Sequence, residues 1–431
     1  MDKQRRGAAG TVEFTLVPGG EQVAEMQRTG GAERAKILHL TTAAISHRLL
    51  LLPQLLVLRD AGHDVGAVSA DGPEVDQLRH HGIRHRVLEG STRSFDVRAD
   101  MRAVRSFASI LRDEAPDIVH THNPKTGVYG RILARALGVP RVVNTVHGLY
   151  ATPQDPARRR AVVYGLEAVA ARCSHLELVQ NIEDFDLMAR TPLAPSANLR
   201  YLGNGIDVRT FMPDDNGEQR AAVRAELGIA PDAVVVASVG RLVAEKGFRE
   251  LLAASADASS DHTVVIIGPD DPRKADALDR SVADAARRRG VRFLGHRSDI
   301  ARLLPAFDLF VLASYREGFP RAAMEAAACG LPIVATDIRG CRQVVDHETT
   351  GLLVPSREVK PLRGAIERLV ANADLRTQWG TAARAKAEAE FDERLILERL
   401  FAGYAELGIT SPDQAVSEVD VSSPRFDSAA G

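Results

Sequence analysis

Two carboxylates, Glu317 and Glu325, bracket the stretch Glu-Gly-Phe-Pro-Arg-Ala-Ala-Met-Glu. Carboxylates accept hydrogen bonds from neutral hydroxyls and repel phosphate. Between them, Gly318 lets a ligand approach the backbone, and Pro320 presets φ for a first helical turn. The open N–H groups of such a turn, with its dipole, attract an anion. One turn can therefore hold a phosphate while the flanking acids take hydroxyls, the combination that a sugar nucleotide presents.

A second group is Gly240-Arg241-Leu-Val-Ala-Glu-Lys246-Gly247, directly after an apolar run. Arg241 offers a planar fork and Lys246 a point charge, both suited to a pyrophosphate, and the glycines permit a tight turn. Taken alone, the same spacing fits a surface turn. A third is His120-Thr-His122-Asn-Pro-Lys125-Thr-Gly127. His-X-His on a strand puts both rings on one face. His120 fits a core histidine as well as a site group; His122, at the strand end, fits a polar substrate contact, and Lys125 can reach an anion. No further metal ligand stands near the pair. Thr41-Thr42-Ala-Ala-Ile-Ser-His47 reads as a loop whose hydroxyls and amides either cap an anion or serve an ordinary N-cap at Ser46. Thr145-Val-His147-Gly148 ends another strand and reads equally as site or structure, whereas His80, His81 and His85 read as solvated. No GxGxxG follows a strand, Lys125-Thr126 lacks the glycine frame of a P-loop, and no Asp-X-Asp stands where a metal would bridge a diphosphate. Arg241 and Lys246 would then do that work as fixed cations, with no metal and no cofactor.

These groups need a scaffold. Short apolar runs alternate with amphipathic stretches, the pattern of a parallel α/β sheet. Strands are expected at 36–40, 65–68, 117–120, 141–146, 176–179 and 199–202, with helices at 47–60, 126–137 and 156–172 between them. The pattern restarts with strands at 233–239, 263–267, 291–294, 308–312 and 332–335. The expectation is two doubly wound Rossmann-like domains, 34–205 and 206–390, facing across a cleft, with ligands beyond the carboxyl ends of the strands. A helix over 391–407 follows, and residues 1–33 and 408–431 read as a flexible arm and tail. Two domains suit 431 residues. Three separated cysteines, Cys173, Cys329 and Cys341, exclude a disulfide framework and fit a reducing cytoplasm. No run approaches the roughly 20 apolar residues of a membrane span. Residues 34–205 carry 22 Lys/Arg against 17 Asp/Glu, a net of +5, and residues 206–407 carry 28 against 31, a net of −3. The basic half includes Arg158-Arg-Arg160, which reads as a solvated helix face or as attraction to an anionic acceptor or lipid headgroups. Aromatics make up 5% of the chain and do not interleave with the basic residues, which disfavours nucleic acid.

With these residues assembled, the chain from about 36 to 407 resembles glycosyltransferase family 4, a retaining group with the two-domain GT-B fold. The resemblance is strongest over 317–355, including Cys329-Gly-Leu-Pro-Ile-Val-Ala-Thr-Asp337 and Gly351-Leu-Leu-Val-Pro355. His120 to Gly127 and Val146-His-Gly148 look like the bacterial subgroup that builds cell-surface polysaccharides and lipid-linked oligosaccharides. The resemblance implies that Glu317 contacts donor-sugar hydroxyls, that Glu325 holds the ribose diol, and that Arg241 and Lys246 stabilise a leaving diphosphate, UDP in the first instance. It implies that amides around Gly318, Phe319, Arg321 and Ala322 meet the phosphates, and that His122 approaches the donor sugar. Thr41, Thr42, His47, Lys125 and His147 are assigned to the acceptor side. Pro320 departs from the glycine common in the family and offers no amide, and the loop after strand one lacks the family's paired glycines. The implied acceptor is a lipid-linked or saccharide hydroxyl, with peripheral association to an anionic membrane on its cytoplasmic face. A soluble natural-product acceptor, an NDP-sugar 2-epimerase and a non-catalytic sugar-nucleotide binder are the alternatives.

Overall fold

The computed structural model describes residues 34–409, except 93, 95, 123, 154, 257–261 and 271–275. The arm expected at 1–33, and the tail beyond 409, lie outside the described residues.

Two parallel sheets organise the chain. The first has seven strands: β1 (Lys36–Ala43), β2 (Asp64–Ala70), β3 (Arg84–Val87), β4 (Ile118–His122), β5 (Arg141–Val146), β6 (Leu176–Val179) and β7 (Leu199–Tyr201). Their order is β3-β2-β1-β4-β5-β6-β7. The second has six: β8 (Val234–Val239), β9 (His262–Ile267), β10 (Arg292–Phe293), β11 (Leu309–Leu312), β12 (Ile333–Thr336) and β13 (Gly351–Val354), ordered β10-β9-β8-β11-β12-β13. Both are Rossmann-like, with helices covering strands buried on both faces, which is why the strands read as near-continuous apolar runs. In each sheet the order reverses once, between β1 and β4 and between β8 and β11, and such switch points open a crevice at the carboxyl ends of the strands.

The chain passes from one sheet to the other through Gly203–Asp207. It returns through the helix Glu393–Glu406, whose Leu397, Leu400, Phe401 and Tyr404 pack with Ile37, Leu55, Leu176 and Leu178 of the first lobe. Phe391, just before it, is buried in the second lobe.

The segment Thr41 to His47 is not the loop the sequence suggests. β1 continues to Ala43, with a register shift between Leu40 and Ala43, and buries Thr41 and Thr42. A turn of helix over Ala44–Ser46 follows at once, so Ser46 is helical, and Ala43 provides no side-chain cap. His47 opens a π-helical turn, His47–Leu51, that runs into the helix Leu52–Asp60. Pro320 also stands one place earlier than expected, at the N-cap of the helix Arg321–Ala328 rather than inside its first turn.

Candidate active site

The Glu317–Glu325 stretch fills the crossover from β11 into the helix Arg321–Ala328. Glu317 lies in the loop, and Glu325 on the helix's second turn. Glu317 Oε1 accepts from Lys246 Nζ at 2.6 Å and from Ser314 Oγ at 2.7 Å. Lys246 reaches it because the turn after β8 folds against the end of β11: Gly247 has φ +68°, and a Cβ there would come within 1.9 Å of the Ala313 carbonyl. Arg241 sits in that same turn, partly buried. At the helix start, the amides of Ala323 and Met324 bond the Pro320 carbonyl, so those of Arg321 and Ala322 are the ones placed ahead of the first helical bonds. Glu325 is held by Arg321 Nε at 2.9 Å, and its burial raises its pKa against the pull of that guanidinium. A cluster of paired acids and cations beneath open amides is thus confined to the carboxyl ends of β8 and β11.

The first lobe meets this loop directly. A Cβ built on Gly318 would lie 2.3 Å from the His147 carbonyl, so glycine is required for the β5 end and the Glu317 loop to touch. Asn181 Nδ2 donates to the Gly318 carbonyl at 3.1 Å, Arg321 donates to the Leu49 carbonyl at 3.3 Å, and Arg342 forks onto Glu183 at 2.8 and 2.9 Å. Arg339 pairs with the buried Asp184 and donates to the Leu149 carbonyl at 3.0 Å. Beside this seam a cavity of about 560 Å³ opens between Thr152, Asp155 and Arg159 of the first lobe and Tyr315, Arg316 and Arg357 of the second.

Behind His147 runs a chain of imidazoles. His147 Nε2 lies 3.1 Å from His122 Nδ1, and His122 Nε2 lies 3.1 Å from His39 Nδ1. The register that pairs His39 with His120 puts His39, His120 and His122 on one sheet face. The far end of the chain assigns the protons. The Gly205 amide donates to Asn204 Oδ1 at 3.0 Å, so Asn204 presents an acceptor, toward which Gln180 turns its Nε2 at a long 3.5 Å. Gln180 Oε1 then faces His147 Nδ1 at 3.0 Å, which must carry a proton. With that tautomer His122 donates from Nδ1 to His147 and accepts at Nε2 from His39 Nδ1, which Gln54 Nε2 also faces at a long 3.5 Å. His120 is bonded separately, to Tyr404 Oη and Thr145 Oγ1, both at 2.8 Å. Burial keeps the rings neutral: it pulls His120 and His47 down to about 3, His147 to about 4, and His39 and His122 well below the ordinary imidazole value.

The residues expected from sequence fall into three groups. Gly240, Arg241, Lys246, Glu317, Gly318, Phe319, Arg321, Ala322 and Glu325 gather at the carboxyl ends of β8 and β11. His147 reaches the seam, and His122, expected beside the donor sugar, is buried one ring behind it. Thr42 is buried at the end of β1, and the other three point elsewhere. Thr41 donates to the Ala43 carbonyl, His47 bonds the Val68 carbonyl at 3.2 Å inside the first lobe, and Lys125 is tied to Asp100 and to the carbonyls of Thr92 and Ser94. His85, expected in solvent, is half-buried on Ser69 Oγ at 2.9 Å. Sequence reading found no third ligand beside His120 and His122. The fold brings His39 there, one nitrogen of each lying within 4.8 Å of the others. Among the described residues only His39 Nε2 of that trio lacks a partner.

Two family models match the chain: one described as glycosyl transferases group 1, over residues 219–386, and one as glycosyl transferase 4-like, over residues 36–174. An Escherichia coli UDP-Gal:alpha-D-GlcNAc-diphosphoundecaprenol alpha-1,3-galactosyltransferase is 30% identical over 325 residues, 74% of this chain and 83% of that protein. A D-inositol 3-phosphate glycosyltransferase of Saccharomonospora viridis is 31% identical, over 65% of this chain and 69% of its own. Among solved structures, Anabaena HepE in complex with UDP superimposes with a TM-score of 0.73 at 21% identity, covering 87% of this chain and all of that one.

Proposed function

The chain belongs to the family 4, group 1 glycosyltransferases of GT-B fold, and from that premise we propose that it transfers a hexose from a UDP-sugar to the hydroxyl of a lipid-linked acceptor at the cytoplasmic membrane face, with retention and without a metal. The observation that carries the reading is the pair of acid–base contacts, Lys246–Glu317 and Arg321–Glu325, set around the open amides of one helix start where the other lobe's His147 arrives.

In this reading the diphosphate lies over the amides of Arg321 and Ala322. As the anomeric C–O bond breaks, negative charge grows on the departing phosphate, and Arg241 and Lys246 stabilise it without reorganising. Glu325 accepts from the ribose diol, and Glu317 from the sugar hydroxyls; both contacts to Glu317 now fall on Oε1, so Oε2 is the oxygen offered to the sugar. His147 stands at the sugar side of the first lobe as a packing wall, its two ring nitrogens held by Gln180 and His122. The acceptor hydroxyl attacks from the face the diphosphate leaves and passes its proton to the departing phosphate oxygen, a path that needs no protein nucleophile. Contact between the lobes excludes water from the sugar.

A lipid-linked acceptor is supported by the E. coli relative, whose name specifies a diphosphoundecaprenol substrate. The S. viridis relative supports a soluble acceptor as the second reading. The test is a UDP- and GDP-release screen over several sugar nucleotides in excess EDTA, with polyprenyl-diphosphate sugars and inositol phosphates as acceptors. Release from a UDP-sugar that rises only with the polyprenyl acceptor supports the proposal. Release only with a divalent metal, only from a GDP-sugar, or only with a soluble acceptor contradicts the corresponding part.

A further inference from the structure

The helix Ala157–Ala171 has an inner side that is fully accounted for. Tyr164 and Ala168 pack on the cluster of Val146, Leu149 and Ala171, Tyr164 Oη donates to the Ala151 carbonyl at 3.1 Å, and Glu167 turns inward to Arg131 at 2.8 Å. Its outer side is unusual. Val162, Leu166 and Val169 are 62%, 52% and 58% exposed, and with the exposed Ala161 and Gly165 they make an uninterrupted aliphatic face over more than two turns. No carboxylate of the helix lies on that face. Arginines close both ends: Arg158 at the start, beside Arg159, which pairs with Asp155 at 3.5 Å, and Arg172 just past the last turn, where it donates to the carbonyls of Ala168 and Pro192 and has no ion pair with an acid among the described residues.

We propose that this face is the membrane-docking surface of the enzyme. Its occupant is the plane of an anionic phospholipid bilayer, into which Val162, Leu166 and Val169 insert while Arg158 and Arg172 meet headgroup phosphates. Charge complementarity decides the occupant. A second copy of the chain docking through the same face about a two-fold axis sets Arg158 against Arg172 when the helices run antiparallel, and arginine against its own counterpart when they run parallel. An anionic plane neutralises both ends at once. The helix also begins at the right place: Arg159 lines the cavity between the lobes beside Tyr315 and Arg316, so a bilayer under this helix lies at the mouth of the crevice. The inference deepens the reading of a lipid-linked acceptor and rests on it for its purpose, but its test does not.

The test uses the full chain with vesicles of phosphatidylcholine alone and with 30% phosphatidylglycerol (about a physiological anionic share), read by flotation. Binding should require the anionic lipid and weaken with salt. The triple variant Val162→Gln, Leu166→Gln, Val169→Gln should lose on the order of ten-fold or more in partition, and Arg158→Gln and Arg172→Gln roughly five-fold each. Glutamine is a better helix former than valine, so thermal stability should hold, and so should UDP affinity by calorimetry. Failure of the parent to bind, or unchanged binding by the triple variant, overturns the docking face. A dimeric parent that becomes monomeric in the triple variant overturns it in favour of a second copy. Loss of UDP binding in the parent would instead strike the enzymatic reading and leave the surface standing.

Discussion

Lys246 has two suitors, and exchanging one of them separates binding from catalysis. Its ammonium sits 2.6 Å from Glu317 Oε1, with the two side chains 24% and 12% exposed. A diphosphate must compete with that carboxylate. Discounted for the solvent that reaches both groups, the pair contributes about 1–2 kcal/mol. Glu317→Gln keeps the shape and the Ser314 hydrogen bond but removes the charge. UDP alone, which has no sugar to lose a partner, should then bind as well as before or tighter, by up to roughly 5- to 30-fold. Turnover of the sugar nucleotide should fall on the order of 10²–10³, because the hydroxyl contact that orients the anomeric centre loses its charged acceptor. Calorimetry of UDP and single-turnover UDP release measure the two quantities. A ten-fold loss of UDP affinity, or turnover near that of the parent, refutes the division of labour between Lys246 and Glu317.

Glu325→Ala should weaken UDP roughly 10- to 100-fold, since a ribose diol loses a charged acceptor, while inorganic pyrophosphate binds unchanged; equal losses for both ligands would remove the ribose assignment. Below pH 6.5 the unfolded chain protonates its histidines while His39, His47, His120, His122 and His147, with lowered values, stay neutral. Stability is therefore full above about pH 6.5 and drains as pH falls toward 4, each ring adding a slope of about 1.4 kcal/mol per pH unit; a melting temperature flat from pH 7.5 to 5 contradicts this. Tyr404→Phe leaves a buried His120 nitrogen without its 2.8 Å partner and should cost about 1–3 kcal/mol in chemical denaturation, with no change in UDP affinity; a lowered affinity would mean that the helix Glu393–Glu406 acts on the site.

How much of this could be read from sequence depended on how local the signal was. The Glu317–Glu325 stretch was legible because one loop and one helical turn hold all its parts. Most strands of both sheets were legible because burial on two faces makes them apolar throughout; β13, Gly351-Leu-Leu-Val, was not among the expected strands because it opens on a glycine and is only four residues long. β3, Arg84-His-Arg-Val, was missed because an edge strand tolerates charge. The helix Val97–Glu114 was passed over although Asp96 caps it and Ala103, Phe107, Ile110 and Leu111 mark its buried side. Thr41 and Thr42 looked like loop hydroxyls, yet β-branched residues after a buried strand extend it. The imidazole chain joins residues of β1, β4 and the turn just after β5 that meet only through the sheet register. The available hint was a histidine, His39, inside an otherwise aliphatic strand, and only the register shows that it shares a face with His120 and His122. Lys125 was a cation in a promising motif, but its carboxylate, Asp100, comes from the helix that was missed.

The most direct measurement of the central claim is a crystal structure with UDP bound. The account places the diphosphate within hydrogen-bond reach, about 3 Å, of Lys246 Nζ and the amides of Arg321 and Ala322, with the ribose on Glu325. A nucleotide bound elsewhere, for instance in the smaller cavity lined by Leu242, Asp270, Arg280 and Arg287, with Glu325 untouched, contradicts it.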